Sequence, residues 1–364
     1  MKKIVFTVTN DLNYDQRMIR ICSSLTAAGY SVLLIGYTLK DSTPLAKQTY
    51  QQKRINCLFK TGKLFYAEYN IRLFFYLLFK KIDLIGAIDL DTILPCFYIS
   101  KFKRVRRIYD AHELFCEMQE IVSRPFIYKV WKKIEKFSVP SFPNGYTVND
   151  IIADEFKRMY EVNYEVIQNA PLLKEISIPG KKEKYILYQG GVNEGRSFDT
   201  LIPAMKSVNA KLIIAGGGNY LEQTKQLVIE NGLMGKVIFT GRLLPADLYQ
   251  YTLNAWIGLT LFEKTGLTNY YSLANRFFDY MHAAVPQLCV NYPVYAEINK
   301  NHPVAVLIDD LSSENIAAHL NHLLANDVLY TDLRQNCLLQ REVYNWQAEE
   351  KKLINFYSKL FSQH

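Results

Sequence analysis

The sequence predicts an α/β protein built from two doubly wound domains, each a parallel sheet covered by helices on both faces. Short continuous apolar runs of strand length recur through both halves of the chain, as a sheet buried on two sides requires. Between them lie segments with apolar residues at three- and four-residue spacing, so strands alternate with helices throughout. One stretch, VIQNAPLLKEISIPGKKEK, breaks the alternation with two prolines, a glycine and four lysines, and reads as a domain boundary. The expected division is residues 1–170 with a returning carboxy-terminal helix 346–364, a linker 171–184, and residues 185–345. The two sheets would present their carboxyl edges to a common cleft.

Composition narrows the classes. With 49% hydrophobic and 21% charged residues the chain is an ordinary globular one, and disorder is excluded. A net charge of +8, with 26 Tyr and 20 Phe, favours anionic partners, whether nucleotide sugars, lipid phosphates or nucleic acid. Six cysteines, Cys22, Cys57, Cys96, Cys116, Cys289 and Cys337, form no Cys-x-x-Cys pair, which fits a reduced compartment and argues against a zinc site. MKKIVFTVTN reads as a first strand rather than a signal peptide. No run reaches the roughly 18 apolar residues of a spanning helix, so a cytoplasmic location is expected.

In the first half, residues 3–8 form a buried strand. Met18, Ile19, Cys22 and Leu25 give a helix that Gly29 ends, and residues 31–35 are the next strand. The loop 10–15 lacks Gly-x-Gly-x-x-Gly, so no dinucleotide fingerprint is present. Asp15 stands where a helix N-cap would. LFYAEYNIRLFFYLLFKK is a helix with aromatics nearly all round and lysines at its end, suited to a core or to a membrane interface. Basic clusters at Lys101, Lys103, Arg104, Arg106, Arg107 and at Lys129, Lys132, Lys133, Lys136 lie near Phe102, Tyr128 and Trp131. Such runs are ordinarily solvated faces, but the aromatics favour an anionic membrane surface. After strand 82–88, Asp91 reads as the N-cap of the following helix. Strand 106–109 ends at Asp110-Ala111-His112-Glu113, the sheet edge where α/β ligands bind.

The second half opens with strand 185–189 and the loop Gly190-Gly191-Val192-Asn193-Glu194-Gly195-Arg196-Ser197. Its glycines allow close backbone approach to a ligand, and Arg196 can grip phosphate oxygens. Strand 211–215 precedes Gly216-Gly217-Gly218, and strand 236–240 precedes Gly241-Arg242-Leu243. Strand 256–261 then feeds FEKTGLTNYYSLANRFFDYMHAAVP, the stretch with the most chemistry. Ser272 is expected to cap a helix whose Leu273, Phe277, Phe278, Met281 and Ala284 pack inward, with Pro286 ending it. Asn275 and Asp279 share a polar stripe with Arg276 beside them. The helix start suits a diphosphate, and a carboxylate one turn deeper suits a ribose diol.

NRFFDYMHAAVPQL resembles the end of the E-x7-E motif of retaining glycosyltransferases of family 4 with the GT-B fold, in the NK-x-FEY form of bacterial surface-polysaccharide enzymes. Asp279 stands at the second Glu, Arg276 at the Lys and Tyr271 at the first Glu, so Glu263 or loop backbone would contact the donor sugar. DQRMIRICSSLTAAGYSV, YDAHELF and Asn169-Ala170-Pro171 are similar to family segments too, and Arg196 falls on the Lys of its Gly-Arg-Leu-x-x-x-Lys-Gly pattern.

The resemblance implies two Rossmann-like domains and transfer of a sugar from a nucleoside-diphosphate sugar to a hydroxyl acceptor, held by the first domain and lipid-linked at the inner membrane face. It implies Arg196, His112 and Glu263 as catalytic residues. Gly190, Gly191, Gly216, Gly217, Arg242, Leu243, Ser272, Leu273, Asn275, Arg276 and Asp279 would bind the donor. Asp89-Leu90-Asp91 has the Asp-x-Asp form that holds a metal in the other large glycosyltransferase fold; N-capping explains it more cheaply, and neither metal nor other cofactor is expected. The rival readings are a nucleotide-sugar epimerase of the same fold and a non-catalytic basic membrane- or nucleic-acid-binding protein.

Overall fold

The computed structural model describes residues 1–39, 42–176 and 184–362. Residues 177–183 of the expected linker lie outside the described residues. The chain divides into two compact units, Met1–Asn169 with Ala348–His364, and Ala170–Gln347.

The first unit runs β1 (Lys3–Thr7), α1 (Gln16–Ala27), β2 (Ser31–Tyr37), β3 (Gln51–Ile55), α2 (Gly62–Leu78), β4 (Leu84–Ile88), α3 (Ile93–Lys103), β5 (Arg106–Ala111), α4 (Gln119–Val122), α5 (Pro125–Ser138), β6 (Gly145–Thr147), α6 (Asp150–Tyr160) and β7 (Glu165–Val166). The second runs β8 (Tyr185–Gln189), α7 (Phe198–Ala204), β9 (Lys211–Ala215), α8 (Leu221–Glu230), β10 (Val237–Gly241), α9 (Pro245–Asn254), β11 (Ile257–Thr260), α10 (Leu267–Tyr270), α11 (Asn275–His282), β12 (Gln287–Val290), α12 (Pro293–Asn299), β13 (Ala305–Ile308), α13 (Ser313–Ala325) and α14 (Asp327–Val343). The closing helix α15 (Trp346–Ser362) contributes its residues from 348 onward to the first unit.

Both sheets are wholly parallel. Their orders are β3-β2-β1-β4-β5-β6-β7 and β10-β9-β8-β11-β12-β13. Each winds outward in both directions from its first strand, so the strand order reverses between β1 and β4 in one and between β8 and β11 in the other. The central strands β4, β8, β11 and β12 are buried at every residue, as helices on both faces demand.

Two strands were not visible as apolar runs. β3, QQKRI, is an edge strand with one fully buried residue, and β7 is only two residues long. Helix α2 is aromatic on all sides, yet only Phe65, Tyr69, Leu73 and Leu77, four apart, are buried; Leu64, Ile71 and Phe75 stay exposed. In α15, Tyr357 meets Tyr146 and Phe6 of the first sheet. Among the described residues no helix is long and apolar enough to cross a membrane.

Candidate functional site

In open α/β sheets ligands collect beyond the carboxyl ends of the strands where the order reverses. In the second unit that place is formed by the segments after β8 and β11. Arg196, following β8, donates from Nη1 to Asn269 Oδ1 at 2.9 Å, and its guanidinium lies 4.5 Å from the centre of the Phe262 ring. Arg276, in the first turn of α11, approaches the same ring at 4.6 Å and that of Tyr188 at 4.5 Å, while donating to Gln189 O at 3.0 Å. Two cations are thus held on one aromatic ring. Arg276 is buried rather than on a solvated stripe, and its Nε has no hydrogen-bond partner.

The glycines have a physical reason that the sequence alone hides. A Cβ at Gly216 would lie 1.8 Å from Gly190 O, and one at Gly218 would lie 2.2 Å from Val192 O. The loops after β8 and β9 are therefore pressed backbone to backbone. A Cβ at Gly190 would stand 3.3 Å from Arg276 Nη1, at Gly191 3.1 Å from the Asn193 amide, and at Gly217 3.4 Å from Arg242 Nε. One contiguous rim thus joins Gly190, Gly191, Gly216, Gly217, Arg196, Arg242 and Arg276.

Other candidates have structural duties. Glu263 is tied to the β8 loop twice: its amide donates to Gly195 O at 3.0 Å, and its carboxylate accepts from the amide of Ser197 at 3.2 Å. Ser197 needs that clamp, since it holds a φ of +58°. Burial raises the Glu263 pKa, the Ser197 amide lowers it, and Asp199 and Glu194 add to the rise; the net is upward. Asp279 accepts from Gln189 Nε2 at 2.9 Å, and Oε1 of the same side-chain amide accepts from the Thr252 hydroxyl at 2.7 Å. One oxygen of the carboxylate expected to meet a diol is thus engaged within the unit.

Ser272 does not cap α11; the N-cap position is Ala274. The Ser272 hydroxyl instead donates to Asn269 O and lies 3.3 Å from the Tyr295 hydroxyl, which takes up the Ala274 amide. Leu273 is buried, Asn275 exposed, and Leu243 packs on the cluster of Tyr185, Leu187 and Leu253. The helix ends at His282, before Ala284 at φ +51°, so Pro286 lies beyond the stop rather than making it.

The first unit gathers a different set at its own reversal. Asp15 is the N-cap of α1, accepting from Met18 N at 3.0 Å. Arg17 grips the fully buried Asp110 with two donors, at 2.8 and 3.2 Å, and reaches Ile167 O at 3.0 Å. His112 sits between two carboxylates: Nδ1 is 3.3 Å from Asp89 Oδ2 and Nε2 is 3.2 Å from Asp110 Oδ2. The second contact is an ion-pair distance at poor hydrogen-bond angle. Burial works against the imidazolium, but Asp89 and Asp110 outweigh it and raise the His112 pKa well above its usual value. Burial likewise opposes ionisation of Asp110, and Arg17 and His112 overcome it, lowering the pKa.

Asp91 is no N-cap. It lies in a 3₁₀ turn before α3, whose N-cap is Thr92, and accepts from the Thr9 hydroxyl. Burial, then Asp89, push its pKa up to about 7.

Sequence reasoning missed Phe262, Asn269 and Gln189 in the second unit, and Asp89 as a partner of His112. A charged residue inside the apolar run IYDA was a signal for Asp110, since buried charges require a partner. No comparable local signal marks Asn269.

Two parallel-sheet Rossmann-like units define the GT-B class of fold, and comparison with known proteins agrees. Residues 170–338, in the second unit, match the family described as Glycosyl transferases group 1. The whole chain superposes on sucrose-phosphate synthase from Thermosynechococcus elongatus, with 15% identity, TM-score 0.83 and 100% of both chains covered. It also superposes on Anabaena HepE in complex with UDP and glucose, with 14% identity, TM-score 0.77, and 99% and 100% covered. WaaG, described as a glycosyltransferase involved in lipopolysaccharide biosynthesis, matches with 16% identity, TM-score 0.67, and 97% and 98% covered. No curated protein sequence matches.

Proposed function

We propose that the protein is a retaining glycosyltransferase of family 4 type that moves a hexosyl group from a nucleoside-diphosphate sugar to a hydroxyl acceptor. The acceptor we propose is a lipid-linked saccharide in capsule, O-antigen or exopolysaccharide synthesis. The observation that carries the donor reading is the pair of guanidinium groups, Arg196 and Arg276, set on the Phe262 ring where the strand order of the second unit reverses. The group 1 glycosyl transferase match over the same unit supports it, and a UDP sugar is the first donor to test because HepE is described with UDP-glucose.

In the transfer, the bond from the anomeric carbon to the β-phosphate oxygen breaks as the bond to the acceptor oxygen forms on the same face. The acceptor proton passes to the departing phosphate, so the step requires no protein nucleophile. Charge grows on the β-phosphate as the bond breaks, and Arg196, fixed in advance by Asn269 and Phe262, stabilises that charge more than the ground state. Gly190 and Gly216 let backbone amides approach the same diphosphate. His112, held as an imidazolium by Asp89 and Asp110, is the candidate in the first unit for a sugar hydroxyl. Glu263 acts through Ser197 and shapes the β8 loop.

For a location at the inner membrane face, the support is the exposed aromatic and basic character of the first unit. Phe75, Phe79, Tyr98 and Phe102 are exposed beside Lys80, Lys81, Lys101 and Lys103 in sequence, a combination that anionic membranes attract.

The test is a thermal-shift screen over UDP, GDP and ADP sugars followed by turnover of the best donor. A ligand at 100 times its dissociation constant stabilises by about 2.7 kcal/mol. Arg196→Ala is expected to lower turnover on the order of a hundredfold or more with the melting temperature unchanged. Full turnover in that variant, or no stabilisation by any nucleotide sugar, overturns the reading.

A further inference from the structure

The first unit contains a 580 Å³ apolar pocket that the donor site does not use. Tyr66 of α2, Leu90 in the turn before α3, Leu94 of α3, and Phe126, Ile127 and Trp131 of α5 line it. Folded interiors hold few voids larger than a water, whereas small-molecule sites span roughly 300–1,000 Å³. Helix α5 explains how the volume stays open. Its only fully buried residues are Glu135 and Ser138, and its anchors, the Tyr160–Glu135 bond, the Lys132–Glu117 pair and the edge-on contacts of Trp131 with Tyr66 and Phe115, all lie beyond its first turn. Phe126, on its first turn, is 68% exposed.

One polar group in the lining points to the ligand. Asp91 is 7% exposed and its Oδ2 takes the Thr9 hydroxyl, but Oδ1 has no hydrogen-bond partner. A buried oxygen left in that state is destabilising until a donor reaches it. The cations of the lining, Lys63 and Arg124, disfavour an ammonium ligand, and Asp91 with the neighbouring Asp89 disfavours a carboxylate. A neutral hydroxyl suits the site, because it donates to a carboxylate and accepts from a carboxylic acid.

We propose that this pocket binds a neutral, hydroxyl-bearing apolar molecule, with Asp91 taking the hydroxyl and the walls from α2, α3 and α5 enclosing the hydrocarbon. The proposal stands on the pocket and does not depend on the nucleotide-sugar reading.

The probe is 10-bromodecan-1-ol, whose bromine quenches indole fluorescence on contact, compared with 1-bromodecane. The alcohol is expected to quench saturably, and the quenching to disappear in Trp131→Phe. The hydrocarbon should bind about tenfold more weakly, the share of one hydrogen bond to a charged or polarised group. Asp91→Ala should bring the alcohol down to the level of the hydrocarbon. Ala67→Phe, which adds a ring to the lining at an exposed position and leaves the Asp91 carboxylate in the chain, should abolish binding while the unfolding midpoint stays near that of the parent chain. Absent or unsaturable quenching, equal affinity for alcohol and hydrocarbon, or quenching that survives Trp131→Phe or Ala67→Phe each overturn the proposal.

Discussion

In the first unit the strand order reverses between β1 and β4, and the side chains gathered near those strand ends are Asp15, Asp89, Asp91 and Asp110 with Arg17 and His112 among them. In the second it reverses between β8 and β11, and the gathered groups are Arg196 and Arg276 around Phe262, with Glu263 and Asn269 as their supports. The architecture is the same and the charge is opposite. Topology supplies a place for a ligand in both, but the chemistry admitted there is set by side chains. The cationic set suits an anion such as a diphosphate, and the acidic set suits hydroxyl donors.

The contrast breaks most severely if the acidic set loses its one buried arginine. Arg17→Ala leaves Asp110 with no exposure and only His112 to oppose its charge. Removing one partner of a buried pair costs about 3–5 kcal/mol. Urea unfolding should show a loss of that size with an unchanged denaturant slope. A loss under about 1 kcal/mol, the range of an exposed pair, would mean that Asp110 is not held as a buried charge.

The cationic set is sharpened by a change that leaves every charge in place. Gly216→Ala places a Cβ 1.8 Å from Gly190 O, so the β8 and β9 loops must part. Overpacking of this kind costs about 1–3 kcal/mol, and the displaced β8 loop should lower nucleotide-sugar affinity at the same time. Gly232→Ala, where a Cβ meets nothing within 4 Å although φ is +69°, serves as the comparison. Equal donor affinity in the two variants would show that the packed loops do not shape the site.

The fold was largely legible because strands covered on both faces read as near-continuous apolar runs. Tyr185–Gln189 and Lys211–Ala215 were found to the residue. Edge strands such as β3 carry no such constraint and did not show. The site was legible in part. Arg196 and the glycines were singled out, but Gly216 is explained by Gly190, 26 positions away in the chain, and Arg17 by Asp110, 93 positions away. Pairings across such separations leave no local trace, so they appear only when the sheet brings its strand ends together. Asp91 shows the converse: a local rule, N-capping, accounted for its position and concealed its burial.

The smallest expected effect concerns that residue and reads the acidic set by pH. Asp91 has a pKa of 3.8 in the unfolded chain and about 7 in the folded one. A raised value means that the folded state keeps a proton which the unfolded state has given up between these limits. The group's contribution to stability is therefore full below pH 4 and is lost as pH rises toward 7 and beyond. Asp91→Asn removes this titration but keeps an acceptor for Thr9. The charged and titratable neighbours, Asp89, His112, Tyr37, Tyr66 and Tyr69, remain in both chains and cancel to first order. The stability difference between variant and parent should then move in the variant's favour from pH 5 to pH 8. We expect about 1 kcal/mol, well under the ideal linkage, because the effective dielectric around such groups exceeds that of a dry interior. Urea unfolding of both chains at the two pH values measures it; a pH-independent difference would place Asp91 in contact with solvent, and the acidic set would lose its buried member.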